Sequence, residues 1–193
     1  SPLWLAGIMM IAFVIAAYTF SAHEEATTFT TNNGTWNIAS NLINGKGYSA
    51  CDSNYFPFCS PSNQVTAMRE PIPVLLMAVS RFIYPDEDSG LIVQTMLYFG
   101  TLLAIYWILK KEDVRLALIA SFLWAVSIPV ISEMGDDTGN LTAAFFFTIG
   151  MNYFLKGWKE QKSFLFILSG LFMGITALSR SVHFGIAFGV GLF

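Results

Sequence analysis

Charge is what this chain has least of. Only 12% of its 193 residues are Asp, Glu, Lys or Arg, against about 25% in an average soluble domain. At the same time 54% are hydrophobic and the mean hydropathy is +0.57, which leaves too little polar surface to cover a globule in water. Basic excess is missing as well: 10 Lys and Arg stand against 13 Asp and Glu, a net charge of −3, which disfavours nucleic acid as a partner. Histidine and cysteine number two each. Neither His23 nor His183 has a second ligand at metal spacing, and two thiols alone make a weak metal site. What is abundant is aromatic, with 18 Phe, 7 Tyr and 5 Trp, and that excludes disorder. These balances describe an integral membrane protein embedded in a lipid bilayer.

Apolar runs occur at Leu3–Phe20, Leu91–Leu109, Val114–Ile131, Leu141–Leu155, Phe164–Leu178 and from Phe184 onward. A helix crossing roughly 30 Å of hydrocarbon needs about 20 such residues. The fold expected is all-α: a polytopic transmembrane protein of about six spans, with a large external first loop carrying interfacial helices. Residues 1–20 form the first span, 21–90 the external loop and 91–193 the further spans. The first run has no evident small-residue cleavage site, so it reads as an anchor rather than a signal peptide. Because Ser1 opens the chain and the last run lacks a closing flank, the sequence is read as the N-terminal part of a single, longer membrane domain.

Lys and Arg in short loops set the orientation. Lys110, Lys111 and Arg115 separate the second and third runs; Lys156, Lys159 and Lys162 separate the fourth and fifth. Both loops on the cytoplasmic side of a plasma or inner membrane put the N-terminus inside and residues 21–70 outside or in the periplasm. The short segment Pro71–Tyr84 then lies along the outer interface as an amphipathic helix. In this arrangement ten of the thirteen acids fall outside. Cys51 and Cys59 fall outside too, spaced to close a small Pro-containing loop by a disulfide in an oxidising compartment. Helix structure is also expected over Asn37–Ile43, ended by Asn44-Gly45 and Gly47.

Ionisable groups at membrane depth are costly and usually face a partner or a cavity. Four polar groups share the outer level: His23-Glu24-Glu25, Arg69-Glu70-Pro71, Glu133 through Asp137, and Arg180 with His183. Each has a plainer reading. Glu24 and Glu25 suit a solvated flank, Arg180 can snorkel to headgroups, and Asp136-Asp137-Thr138-Gly139 suits a turn or a helix cap. Together they suit one chemistry. Arginine binds phosphate bidentately, a carboxylate acts as general base on an acceptor, and a second carboxylate orients a metal or a sugar hydroxyl. That is glycosyl transfer from a polyprenyl-phosphate sugar.

Trp36-Asn-Ile-Ala-Ser-Asn-Leu-Ile-Asn-Gly-Lys-Gly-Tyr-Ser49 resembles the aromatic-x-x-A-x-N-L-x-x-G-x-G-[YF]-S segment in the first external loop of GT-C-class membrane glycosyltransferases. The protein O-mannosyltransferase and lipid A aminoarabinose transferase relatives are the nearest in pattern. Arg69-Glu70-Pro71-Ile-Pro-Val-Leu-Leu76 is similar to that class's R-x-P-x-x-P-L-L stretch, Glu133–Asp137 occupies the place of its second acidic loop, and Ala177-Leu-Ser-Arg180 resembles its A-L-[ST]-R element. The resemblance implies an N-terminal catalytic module with two interfacial helices in its first loop. It implies inverting transfer from a polyprenyl-phosphate-linked sugar, the donor phosphate held by Arg69 and, secondarily, Arg180. The class's catalytic acid normally sits shortly before the aromatic residue, where this chain reads Thr30-Thr-Asn-Asn-Gly-Thr35.

The expected catalytic carboxylates are therefore Glu24, Glu25, Asp136 and Asp137, with the cofactor undetermined and a divalent metal left open. The acid-free stretch before Trp36 sustains a second expectation: a catalytically inactive GT-C-like subunit packing against partner membrane proteins. A transporter is a third reading, without the inverted repeat or broken mid-span helices of that class.

Overall fold

The computed structural model describes residues 2–24, 34–50, 65–66, 70–85, 89–134 and 139–180. Their secondary structure is helical except for one short pair of strands. In chain order the elements are α1 (Pro2–Glu24), α2 (Gly34–Ile43), β1 (Ser49–Ala50), β2 (Val65–Thr66), α3 (Pro71–Ile83), α4 (Ser89–Leu109), α5 (Val114–Ala125), α6 (Ile128–Glu133), α7 (Gly139–Glu160) and α8 (Ser163–Ser179). The strands are antiparallel, Ser49 opposite Thr66 and Ala50 opposite Val65. The all-α class expected from the apolar runs is therefore present.

Local chemistry sets most boundaries. Pro71 opens α3, where its fixed φ suits the first turn and its missing N–H costs nothing. Asp113 caps α5 by accepting the Arg115 N–H at 2.7 Å. Gly45 and Gly47, at φ +70° and +80°, end α2 in a left-handed conformation. There the Lys46 N–H reaches the Asn41 carbonyl at 2.8 Å.

Among the described residues only α4 is long and apolar enough to cross a membrane, 21 residues with a mean hydropathy of 1.7. At 1.5 Å per residue it extends about 31 Å. Leu3–Thr19, Pro71–Ile83, Val114–Ala125 and Ser163–Ser179 are apolar but shorter. α7 is as long as α4, and runs through Lys156 and Lys159, which sequence alone had placed in a loop.

The single run expected over Val114–Ile131 is broken into α5 and α6. The cause is Pro129, which lacks the N–H that would bond the Ala125 carbonyl one turn back and whose ring crowds that carbonyl. The freed acceptor is not left bare. The buried Tyr98 hydroxyl of α4 donates to it at 2.7 Å, and the Trp124 Nε1–H donates to the Tyr98 carbonyl at 3.2 Å. Two hydrogen bonds thus clamp α4 to α5 where the chain bends.

The main core gathers Ile8, Ala12 and Ala16, one four-residue-spaced stripe of α1, with Leu97, Tyr98 and Leu102 of α4, Ala125, Met134 and Leu141. A second core joins α2 to α3 through Trp36, Ile38 and Ala39 against Val74, Met77 and Ala78. α7 and α8 form an antiparallel pair. The Ser169 hydroxyl donates to the Gly150 carbonyl at 2.9 Å, and Tyr153 stacks on Phe172 with ring centres 5.5 Å apart. The outward faces are as apolar as the core: Phe13 and Val14, Ile119 and Leu123, Phe164 and Ile167 are all exposed.

The two ends of the bundle differ in charge. At one end the Lys159 ammonium pairs with Glu112, so the basic segments after α4 and at the end of α7 meet. At the other end the start of α7 meets the end of α8, and the Ser80 hydroxyl of α3 donates to the Ser89 carbonyl of α4 at 2.8 Å.

Candidate functional site

The candidate site is the end of the bundle away from the lysines. α8 delivers Arg180 there: its N–H still bonds the Thr176 carbonyl at 3.2 Å, so the backbone of Arg180 stays tied to the last helical turn. Its side chain then lies over the first residue of α7. A methyl placed on Gly139 would stand 3.5 Å from both Arg180 Cδ and Nη1 and 3.3 Å from the Ser179 carbonyl oxygen. The first two are ordinary contacts and only the last is tight, so what Gly139 eases is the approach of the α8 backbone to the start of α7. Glu133 is half-buried at the end of α6, next to Met134, which sits in the main core.

The α2–α3 layer supplies the remaining polar groups. Arg81 lies in register with Val74, Met77 and Ala78, on the stripe of α3 that faces α2. Its guanidinium carbon stands 4.1 Å from the centre of the Trp36 ring, within cation–π range. The Arg81 Nη1 is buried and has no hydrogen-bond partner among the described residues. Asn41 donates through Nδ2 to the Ser49 carbonyl at 2.7 Å, tying the turn after α2 back onto the helix. Tyr48 packs against this layer. Burial pushes its phenol above the usual tyrosine range, and the negative charge of Glu70 pushes it further the same way. Glu70, the residue just before α3, thus faces the turn that follows α2, its carboxylate also near the positive end of the α3 dipole.

Of the residues expected to act as catalytic acids, to hold the donor phosphate or to form the disulfide, Arg180 is the one whose side chain is described, and it is half-buried. Glu24 is the last residue of α1, placed by its backbone. Glu25, Arg69, Asp136, Asp137, Cys51 and Cys59 lie outside the described residues, as does His183. Among the described residues there is no cluster of three or more His, Cys, Asp or Glu side chains arranged to hold a metal.

Arg81 was missed as anything more than an external charge. Its signal was legible in register: four residues after Met77 and seven after Val74, it occupies the apolar stripe of an amphipathic helix. Arg180 against Gly139 carries no such local signal, because the two are brought together only by the antiparallel pairing of α7 with α8. No protein family, curated protein or solved structure matches the chain.

Proposed function

We propose that this chain is a polytopic membrane glycosyltransferase, or the N-terminal module of one, moving a sugar from a polyprenyl-phosphate donor to an acceptor on the external or periplasmic face. The observation that carries the reading is Arg180 closed over Gly139 at the end of the bundle opposite the lysine segments. Chain connectivity keeps Asp137, two residues before Gly139, within about 7.6 Å of it from Cα to Cα. In this reading the arginine and the pair of carboxylates work at the same end of the bundle, and Glu24, the last residue of α1, joins them.

In this reading Arg69 and Arg180 bind the donor phosphate. One of Glu24, Glu25, Asp136 and Asp137 takes the acceptor proton as the new glycosidic bond forms at the anomeric carbon and the lipid phosphate leaves with the electron pair. The membrane assignment draws support from the length of α4 and from the apolar outward faces. The meeting of Glu112 with Lys159 supports an orientation in which both basic segments lie in the cytoplasm, the N-terminus with them.

The test is transfer from a panel of polyprenyl-phosphate sugars by the purified protein in lipid. Asp136→Asn with Asp137→Asn, or Glu24→Gln with Glu25→Gln, is expected to slow transfer about hundredfold or more, the usual loss with a general base. Arg180→Ala and Arg69→Ala should raise KM for the donor. The acid-free stretch Thr30–Thr35 favours a second reading, an inactive subunit held against partner membrane proteins. Wild-type protein that transfers no sugar yet purifies in a fixed complex establishes that one instead.

A further inference from the structure

The opposite end of the bundle carries a cleft that the proposed transfer does not use. It lies between the ends of α4 and α7, has a volume of about 480 Å³, and is lined by charged side chains together with the apolar Ile108, Leu109 and Leu155. Three lysines, Lys111, Lys156 and Lys159, belong to this lining. Lys159 is engaged by Glu112, and the other acid at the rim, Glu160, is engaged by Lys162 at 2.7 Å. Lys111 and Lys156 have no ion-pair partner among the described residues. They stand close enough for both to help hold the Glu160 carboxylate below its usual range, after the Lys162 hydrogen bond. Asn152 adds a neutral polar group to the same lining.

Two features fix the level of this cleft relative to a bilayer. Trp107 and Trp158 are both largely exposed beside it, as indoles are where hydrocarbon gives way to headgroups. The Lys110 ammonium lies 5.2 Å from the Trp107 ring centre and 5.6 Å from that of Tyr106, a cation held on the same belt. Across the two segments after α4 and after α7, six basic side chains face three acidic ones, whereas the chain as a whole carries −3. Two lysines left over once Glu112 and Glu160 are paired with other lysines, beside apolar side chains and an aromatic belt, match one ligand chemistry: a phosphate ester joined to acyl chains.

We propose that the cleft between the ends of α4 and α7 binds the phosphate headgroup of an anionic phospholipid, with Lys111 and Lys156 on the phosphate and the first acyl carbons against Leu109 and Leu155. The proposal rests on the membrane reading given above and not on the transferase chemistry. Bound lipid would fasten the α4–α7 contact at the cytoplasmic surface, leaving the other end free to receive substrate.

Native mass spectrometry of the detergent-purified chain, titrated with phosphatidylglycerol, phosphatidylcholine or inorganic phosphate, tests it. Phosphatidylglycerol should be retained at least tenfold more tightly than phosphatidylcholine, and inorganic phosphate should compete only weakly. Each of Lys111→Gln and Lys156→Gln should weaken that binding about fivefold, the share one lysine contributes near a charged headgroup. Lys110→Gln and Arg115→Gln, made singly so that each removes one charge outside the cleft, should leave it unchanged. Equal retention of the two lipids, or equal loss in both sets of variants, overturns the site. Binding of inorganic phosphate as tight as that of lipid overturns the lipid as its ligand. A chain that stays monodisperse without detergent overturns the membrane reading itself, so the two failures are distinguishable.

Discussion

Two helix seams hold this bundle together by opposite means. Along α7, Ala143, Gly150 and Gly157 recur at seven-residue spacing and are all buried, so α8 comes close along a line of small residues flanked by the stacked rings of Phe146, Tyr153 and Phe172. Between α4 and α5 the contact is instead made by two large polar-tipped rings, Tyr98 and Trp124, each donating to a carbonyl on the other helix. The contrast follows from the environment. On the membrane reading proposed above, lipid is as apolar as leucine, and helices then gain little from hiding hydrophobic surface and rely on close van der Waals approach or on hydrogen bonds. α7 and α8 rely mainly on the first, with one hydrogen bond from the Ser169 hydroxyl to the Gly150 carbonyl beside it. α4 and α5 need the second, because Pro129 has left a backbone acceptor open in the interior, and an unmet buried acceptor costs about 1–3 kcal/mol.

The seam of small residues should be the easier to break. A Cβ on Gly150 would already stand 3.2–3.4 Å from Met173, so the side chain of Gly150→Leu must push α8 away. The expected loss is about 3 kcal/mol, the upper part of the overpacking range, read as a drop in thermal midpoint in detergent. Gly170→Leu is the control: nothing lies within 4 Å of its added carbon, and its midpoint should hold or rise. If both variants behave alike, helix propensity rather than close approach governs the pair.

The hydrogen-bonded seam makes a subtler prediction. Tyr98→Phe should cost about 1–2 kcal/mol by leaving the Ala125 carbonyl unpaired. Pro129→Ala restores an N–H one turn beyond Ala125 and lets α5 continue into α6. In that background Tyr98→Phe should cost much less, and a double-mutant cycle reads the difference directly. Strict additivity would mean that the tyrosine is not there to answer the proline.

These seams also mark how far the sequence could be read. The apolar runs located α1, α4, α7 and α8 to within a few residues, because hydrophobicity sustained over that length permits little else. Pro129 was visible, yet inside the run Val114–Ile131 uniform apolarity masked the break that its ring imposes. α7 outlasts its apolar run because Lys156, Trp158 and Lys159 are tolerable helix formers although they are not lipid-soluble. The pairing of Ser49–Ala50 with Val65–Thr66 has no periodicity to announce it, being two residues long on each side. At the candidate site, Arg81 could be read from its register on α3, whereas Arg180 against Gly139 could not. That contact joins positions 41 apart in sequence, and only the completed α7–α8 seam brings them together.

The third seam, α2 against α3, extends the comparison to a cation. Here the packing is apolar, like a small soluble core, except that Arg81 covers Trp36 and brings a buried Nη1 with it. A guanidinium over an indole contributes about 0.5–1 kcal/mol when water is near and more when it is excluded. Arg81→Met keeps the length of the side chain and its packing but removes the charge, and Trp36→Phe keeps an aromatic ring with a weaker face. The cycle of these two changes should show a coupling of about 0.5–1 kcal/mol in thermal unfolding followed by tryptophan emission. That is the smallest of the three effects, since the apolar contacts of Ile38, Val74 and Met77 survive both substitutions. A coupling of zero would make Arg81 a charge merely tolerated on the stripe. α2 and α3 would then be held by hydrophobic contact alone, unlike either of the other seams.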